Sequence, residues 1–137
     1  MTQPFTGGCA CGAVRFEVRG EPADMNHCHC RLCQRGSGTG HGSHLTFVDA
    51  EVTLTGEARH WIATGELGTR KSRAFCPTCG TPAYMTFPDM PGVFVVYAGT
   101  LDEPERFAPQ FVMWVSMAQA WDSADAGIPA FEKMRPR

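Results

Sequence analysis

Residues 75–80 read Phe75-Cys76-Pro77-Thr78-Cys79-Gly80, and this stretch has the form of a zinc knuckle. Two thiols three positions apart can grip one metal. The glycine after them lets the chain fold back so that backbone N–H groups point at sulfur. A knuckle supplies two ligands, and a structural zinc takes four. The remaining cysteines form two clusters, Cys9-Ala10-Cys11 and Cys28-His29-Cys30-Arg31-Leu32-Cys33. Cys9 and Cys11, with Gly12 in the same turn role as Gly80, complete a four-thiolate site with Cys76 and Cys79. Cys28, Cys30 and Cys33 are then left as three thiols within six residues, able to converge on a second metal with an exchangeable position.

Disulfides explain the cysteines poorly. Their number is odd, seven in 137 residues, and Cys-x-Cys is badly placed for an internal bridge. Buried hydrophobic cysteines are usually isolated rather than clustered. The other metal reading closes the second site with a histidine, from His27, His29, His41 or His44, and makes both sites structural.

The rest of the chain reads as strands and turns. Val14, Phe16 and Val18 alternate with Arg15, Glu17 and Arg19, and Val52 and Leu54 alternate with threonines. Trp61-Ile62-Ala63 is a short strand-like run, and Ala83, Met85 and Phe87 alternate before Pro88. Residues 93–97 (VFVVY) are continuously apolar, as in a strand buried on both faces, and residues 111–115 make another run. One helical turn is expected after Arg31, before the breaker run Gly36-Ser37-Gly38, and one at Ser116, where Ser116-x-x-Gln119 has the form of a capping box. The chain from about Asp122 reads as an irregular tail against the body. Trp61, Trp114, Trp121 and Phe94 read as packing residues. With 15 glycines and 10 prolines, and no repeat or linker, residues 1–137 are expected to form a single, mainly β domain.

A net charge of -2 gives no reason to expect nucleic acid or an anionic membrane as partner. No apolar run approaches membrane-spanning length, and residues 1–8 lack the pattern of a signal peptide. The expected location is cytoplasmic, where thiols stay reduced.

Three thiolates on a dication leave a net charge of about -1 and a weak Lewis acid, poorly suited to activating water. Such a centre suits a soft ligand, a small-molecule thiol, whose pKa falls from about 8.5 on binding. The bound thiolate is a nucleophile toward an electrophilic carbon such as an aldehyde. Arg31, Arg35, Arg70, Lys71 and Arg73 are candidates to offset the negative charge or to hold carboxylates of the thiol. His41 and His44 are open between general base, fourth metal ligand and surface group.

These residues together resemble the glutathione-dependent formaldehyde-activating enzyme and centromere protein V family. The likeness is carried by residues 7–16 (GGCACGAVRF), by residues 27–35 (HCHCRLCQR) with Ser37-Gly38, by residues 73–80, and by Gly99-Thr100-Leu101-Asp102 with Trp121. The resemblance implies an Mss4-like fold of antiparallel sheets with few short helical turns, organised around a structural zinc held by Cys9, Cys11, Cys76 and Cys79. It implies a catalytic zinc on Cys28, Cys30 and Cys33, where glutathione could coordinate. Of the candidate cations, Arg31, Arg35 and Arg73 are expected from the charge argument to bind the thiol. The implied activity is addition of glutathione to formaldehyde, a carbon–sulfur lyase reaction. Two rival classes are a zinc-supported protein-binding module, since fold does not fix function, and a thiol redox sensor acting through the triad.

Overall fold

The computed structural model describes residues 3–136, and the protein is mainly β. Ten strands follow in chain order: β1 (Phe5–Gly8), β2 (Arg15–Arg19), β3 (Asp24–Cys28), β4 (Gly42–Val48), β5 (Glu51–Thr55), β6 (Arg59–Thr64), β7 (Arg70–Phe75), β8 (Pro82–Thr86), β9 (Val93–Tyr97) and β10 (Phe111–Met113). One helix, α1 (Arg31–Ser37), lies between β3 and β4. The strands form a three-stranded sheet, β1-β2-β5, and a seven-stranded sheet, β10-β3-β4-β9-β8-β7-β6.

The main core lies between these two sheets. Val14, Phe16 and Val18 point inward as their alternation predicts, and with Phe5 they pack on Leu45, Phe47, Phe94 and Val96 of the larger sheet. The other face of the larger sheet carries the cavity described below. This explains why β9 is apolar throughout: Phe94 and Val96 belong to the core, while Val93 and Val95 line the cavity. It also explains β8, where Ala83, Tyr84 and Met85 are all buried. Ala83 and Tyr84 are in the core, and Met85 lines the cavity.

Three local expectations are corrected. β10 pairs with β3 in parallel, not antiparallel, because the chain crosses from β9 to the far edge of the sheet before pairing. The short turn expected at Ser116 is present as a 3-10 turn, Val115–Met117, but it lacks the expected capping box. The Ser116 hydroxyl donates to the Glu132 carbonyl at 2.6 Å instead of capping a helix. Trp61 and Trp121 are exposed (50% and 69%), whereas Trp114 and Phe94 are buried. Trp61 sits on the edge strand β6, and Trp121 lies beyond the last strand. The tail does lie against the body: Val112 bridges Ala130, and the N–H groups of Trp114 and Val115 donate to Lys133 and Phe131 carbonyls. Among the described residues, no helix is long and apolar enough to cross a membrane.

Candidate functional site

Two hairpin turns, one from each sheet, build the four-cysteine cluster. Cys9 and Cys11 lie between β1 and β2; Cys76 and Cys79 lie between β7 and β8. The turns are alike. In each, a glycine at positive φ (Gly12, 82°; Gly80, 78°) donates its N–H to the carbonyl of the first cysteine. Backbone N–H groups then donate to sulfur, Val14 to Cys9 at 3.2 Å and Thr78 to Cys76 at 3.4 Å. The four Sγ atoms lie within 4.8 Å of one another. The Cys9–Cys11 and Cys11–Cys76 separations are 3.6 and 3.7 Å. These are far longer than a disulfide and match the roughly 3.8 Å edge of a tetrahedron with metal–sulfur bonds of about 2.3 Å.

Thr81, which the sequence reading did not single out, joins the two turns. Its hydroxyl accepts from the Ala10 N–H at 3.1 Å and lies 3.1 Å from Cys79 Sγ. Hydrogen bonds from the Thr81 side chain and backbone hold the Cys79 thiol down at about 5. A thiolate favoured before any metal arrives is a prepared ligand.

Cys28 ends β3, Cys30 caps α1 and Cys33 lies in its first turn. Their Sγ atoms also lie within 4.8 Å of one another, and all three residues are buried. The helix exists here because Cys30, extended at ψ 155°, places its sulfur to accept the Cys33 N–H at 3.3 Å. Gly38 at φ 77° closes the other end, so α1 runs through the expected breakers Gly36 and Ser37. Hydrogen bonds from Cys28 and Cys33 hold the Cys30 thiol far below its usual range, and Lys71 adds to the effect. The same contacts, together with burial, push Cys28 strongly up. The triad therefore favours one thiolate shared by two S–H donors, and a bound dication would remove the cost of the second and third.

All three cysteines line a cavity of about 620 Å³. Its walls are largely apolar, with Trp114, Met113, Phe111, Met85 and Phe87 among them. Lys71, Arg135, Asp24 and Glu66 are its charged groups. Of the cations named from sequence, Lys71 lines the cavity. Arg73 is buried beside it, with Nη2 3.8 Å from Cys33 Sγ, close enough to offset thiolate charge. Arg31 and Arg35 stand on the exposed side of α1, and Arg70 pairs with Asp89 at 2.7 Å.

The histidines separate cleanly. His44 is buried and lines the cavity, its imidazole held down at about 3 by burial and by the nearby Arg73 and Lys71. His41 lies elsewhere, with Nδ1 2.6 Å from Asp122 Oδ2. The cysteine triad is thus not closed by His41.

Residues 4–117 match the family model described as glutathione-dependent formaldehyde-activating enzyme. A curated protein of Halomonas elongata, provisionally named as a glutathione-dependent formaldehyde-activating enzyme, is 31% identical over 110 residues, covering 73% of this chain and 70% of that one. A crystal structure of a Rhodobacter sphaeroides protein aligns with a TM-score of 0.55 at 21% identity, covering 92% of this chain and 98% of that one. That likeness speaks for the fold alone. With its cysteine clusters in order and most of its length matched, the chain belongs to the glutathione-dependent formaldehyde-activating enzyme family.

Proposed function

We propose that the protein is a zinc-dependent carbon–sulfur lyase that joins a small thiol, glutathione by the family description, to an aldehyde such as formaldehyde. In this reading Cys9, Cys11, Cys76 and Cys79 hold a structural zinc, and Cys28, Cys30 and Cys33 hold a second. The observation that carries it is the convergence of three buried thiols on the wall of a cavity of about 620 Å³. That volume falls within the roughly 300–1,000 Å³ of small-molecule sites. Zinc bound by the triad would supply a position where the incoming thiol is held as thiolate at neutral pH.

The chain's own residues do the rest. Arg73 beside Cys33 and Lys71 on the cavity wall offset the accumulated negative charge. Lys71 and Arg135 can receive carboxylates of a tripeptide thiol, and Asp24 and Glu66 its ammonium group. Arg31 and Arg35, on the exposed side of α1, do not line the cavity. Trp114, Met113 and Met85 exclude water from the reacting atoms. In the addition, sulfur attacks the carbonyl carbon, the π pair moves to oxygen, and oxygen takes up a proton. One carbon–sulfur bond forms, the proton gained by oxygen balances the one the thiol gave up on binding, and the product is an S-(hydroxyalkyl) hemithioacetal.

Titrating reduced glutathione calorimetrically into zinc-loaded protein, in two buffers of different ionisation enthalpy, tests this. Binding with proton release, abolished in Cys30→Ser, is expected. Silence at millimolar glutathione would overturn it and favour a zinc-supported protein-binding module. The exposed Trp61 and Ile62 on the edge strand β6 are the surface such a module would use.

A further inference from the structure

Side chains alternate along β3 and the residues after it. Asp24, Asn26, Cys28 and Cys30 line the thiol cavity. His27 and His29 do not, and instead meet His41, at ring-centroid separations of 4.7 and 5.1 Å. Asp122, from the segment after the last strand, completes the group. One donor atom from each of His29, His41 and Asp122 lies within 4.8 Å of the others.

This cluster has the marks of a built site. His29 is 2% exposed, and its Nδ1 is buried without a hydrogen-bond partner, which costs free energy in a folded protein. Gly40 makes room for the carboxylate: a Cβ there would lie 2.1 Å from Asp122 Oδ2. His27 Nδ1 lies 2.9 Å from the Ser43 hydroxyl oxygen, and the ring so flanks the group.

We propose that His29, His41 and Asp122 form a further metal site, of a class distinct from the thiolate clusters. Two imidazoles and one carboxylate suit zinc or another first-row divalent cation, with open positions for water or an exogenous ligand. The site lies on the reverse side of the segment that carries Cys28 and Cys30, so it neither shares their cavity nor needs their thiols.

Cobalt(II) titration followed by zinc counting tests the proposal, because only thiolate-bound cobalt gives sulfur-to-metal charge-transfer absorption. In the wild-type chain, one equivalent of cobalt is expected to bind beyond the point where that absorption saturates. It should be lost in both Asp122→Ala and His41→Asn, while the thiolate absorption, which also reports the fold, stays at wild-type intensity. Retention of the extra equivalent in both variants would overturn the assignment. So would wild-type protein that binds nothing beyond thiolate saturation, which would leave His41 and Asp122 as a hydrogen-bonded pair. The wild-type count needs no variant to fold, and neither arm depends on glutathione binding.

Discussion

His44 packs its ring 5.6 Å from that of Tyr97, inside the cavity beside the thiol triad. Gly42 makes this possible, since a Cβ there would lie 2.8 Å from His44 Nε2 and 3.4 Å from Cys33 Cβ. Burial holds the imidazole at about 3 against an ordinary value of 6.5. The unfolded chain therefore binds a proton at His44 that the folded chain refuses. The resulting stability is complete above pH 6.5 and is lost progressively as pH falls toward 3. At pH 5 the loss is on the order of 2 kcal/mol. Replacing His44 by Gln removes this term, so between pH 7 and pH 5 the wild type should lose roughly 7 °C more in Tm than His44→Gln. Parallel thermal melts of the two proteins at both pH values check this, and equal losses would count against it. The sequence offered His44 as base, ligand or surface group because a single histidine carries no spacing signal. Its burial depends on strand pairing that brings β4 beside β3 and β9. Thr81 and Asp122 escaped for the same reason: their partners lie 71 and 81 residues away.

The short helix α1 is held by Gln34 more than by helix propensity. Its buried amide nitrogen donates to the His29 carbonyl at 2.7 Å and to the Met117 carbonyl at 3.0 Å. Its carbonyl oxygen accepts from Arg31 and, at 3.2 Å, from Gln119. One side chain thus ties the helix to the end of β3 and to the turn after β10. Gln34→Ala leaves two carbonyls without this donor and should cost about 2–4 kcal/mol, read as a lower denaturation midpoint at unchanged m-value. A midpoint within error of wild type would show that water replaces the amide. Local pattern made α1 legible only as a turn, since Gly36-Ser37-Gly38 reads as a breaker and Gln34 finds its partners through tertiary structure. The strands were more legible, because alternation at 14–18 and the unbroken run at 93–97 state directly which faces are buried. The parallel pairing of β10 was not, as nothing in three residues records the direction of a distant neighbour.

At the scale of the whole molecule, the two cysteine clusters occupy different mechanical positions. Cys9 and Cys11 hang from the three-stranded sheet and Cys76 and Cys79 from the seven-stranded one, so a metal on these four thiols ties sheet to sheet. Cys9 and Cys76 are themselves part of the core between the sheets. Cys28, Cys30 and Cys33 sit instead at one strand end and one short helix, on the cavity side, with a small cluster of Trp114, Leu32, Met113 and Met117 around them. A structural tetrathiolate zinc contributes on the order of 10 kcal/mol or more, comparable with the whole stability of a domain. Cys76→Ser should therefore give insoluble protein, or soluble protein without a cooperative transition. Cys28→Ser, which removes one thiol from a triad spanning no sheet boundary, should fold and melt cooperatively within several degrees of wild type. Circular-dichroism melts and released-zinc assays on both variants decide the matter. A cooperative Cys76→Ser transition at wild-type temperature would mean that the core between the sheets holds them without the metal. Unfolding of both variants alike would mean that the triad is as structural as the four-thiolate site, and that its buried thiols are committed to the fold.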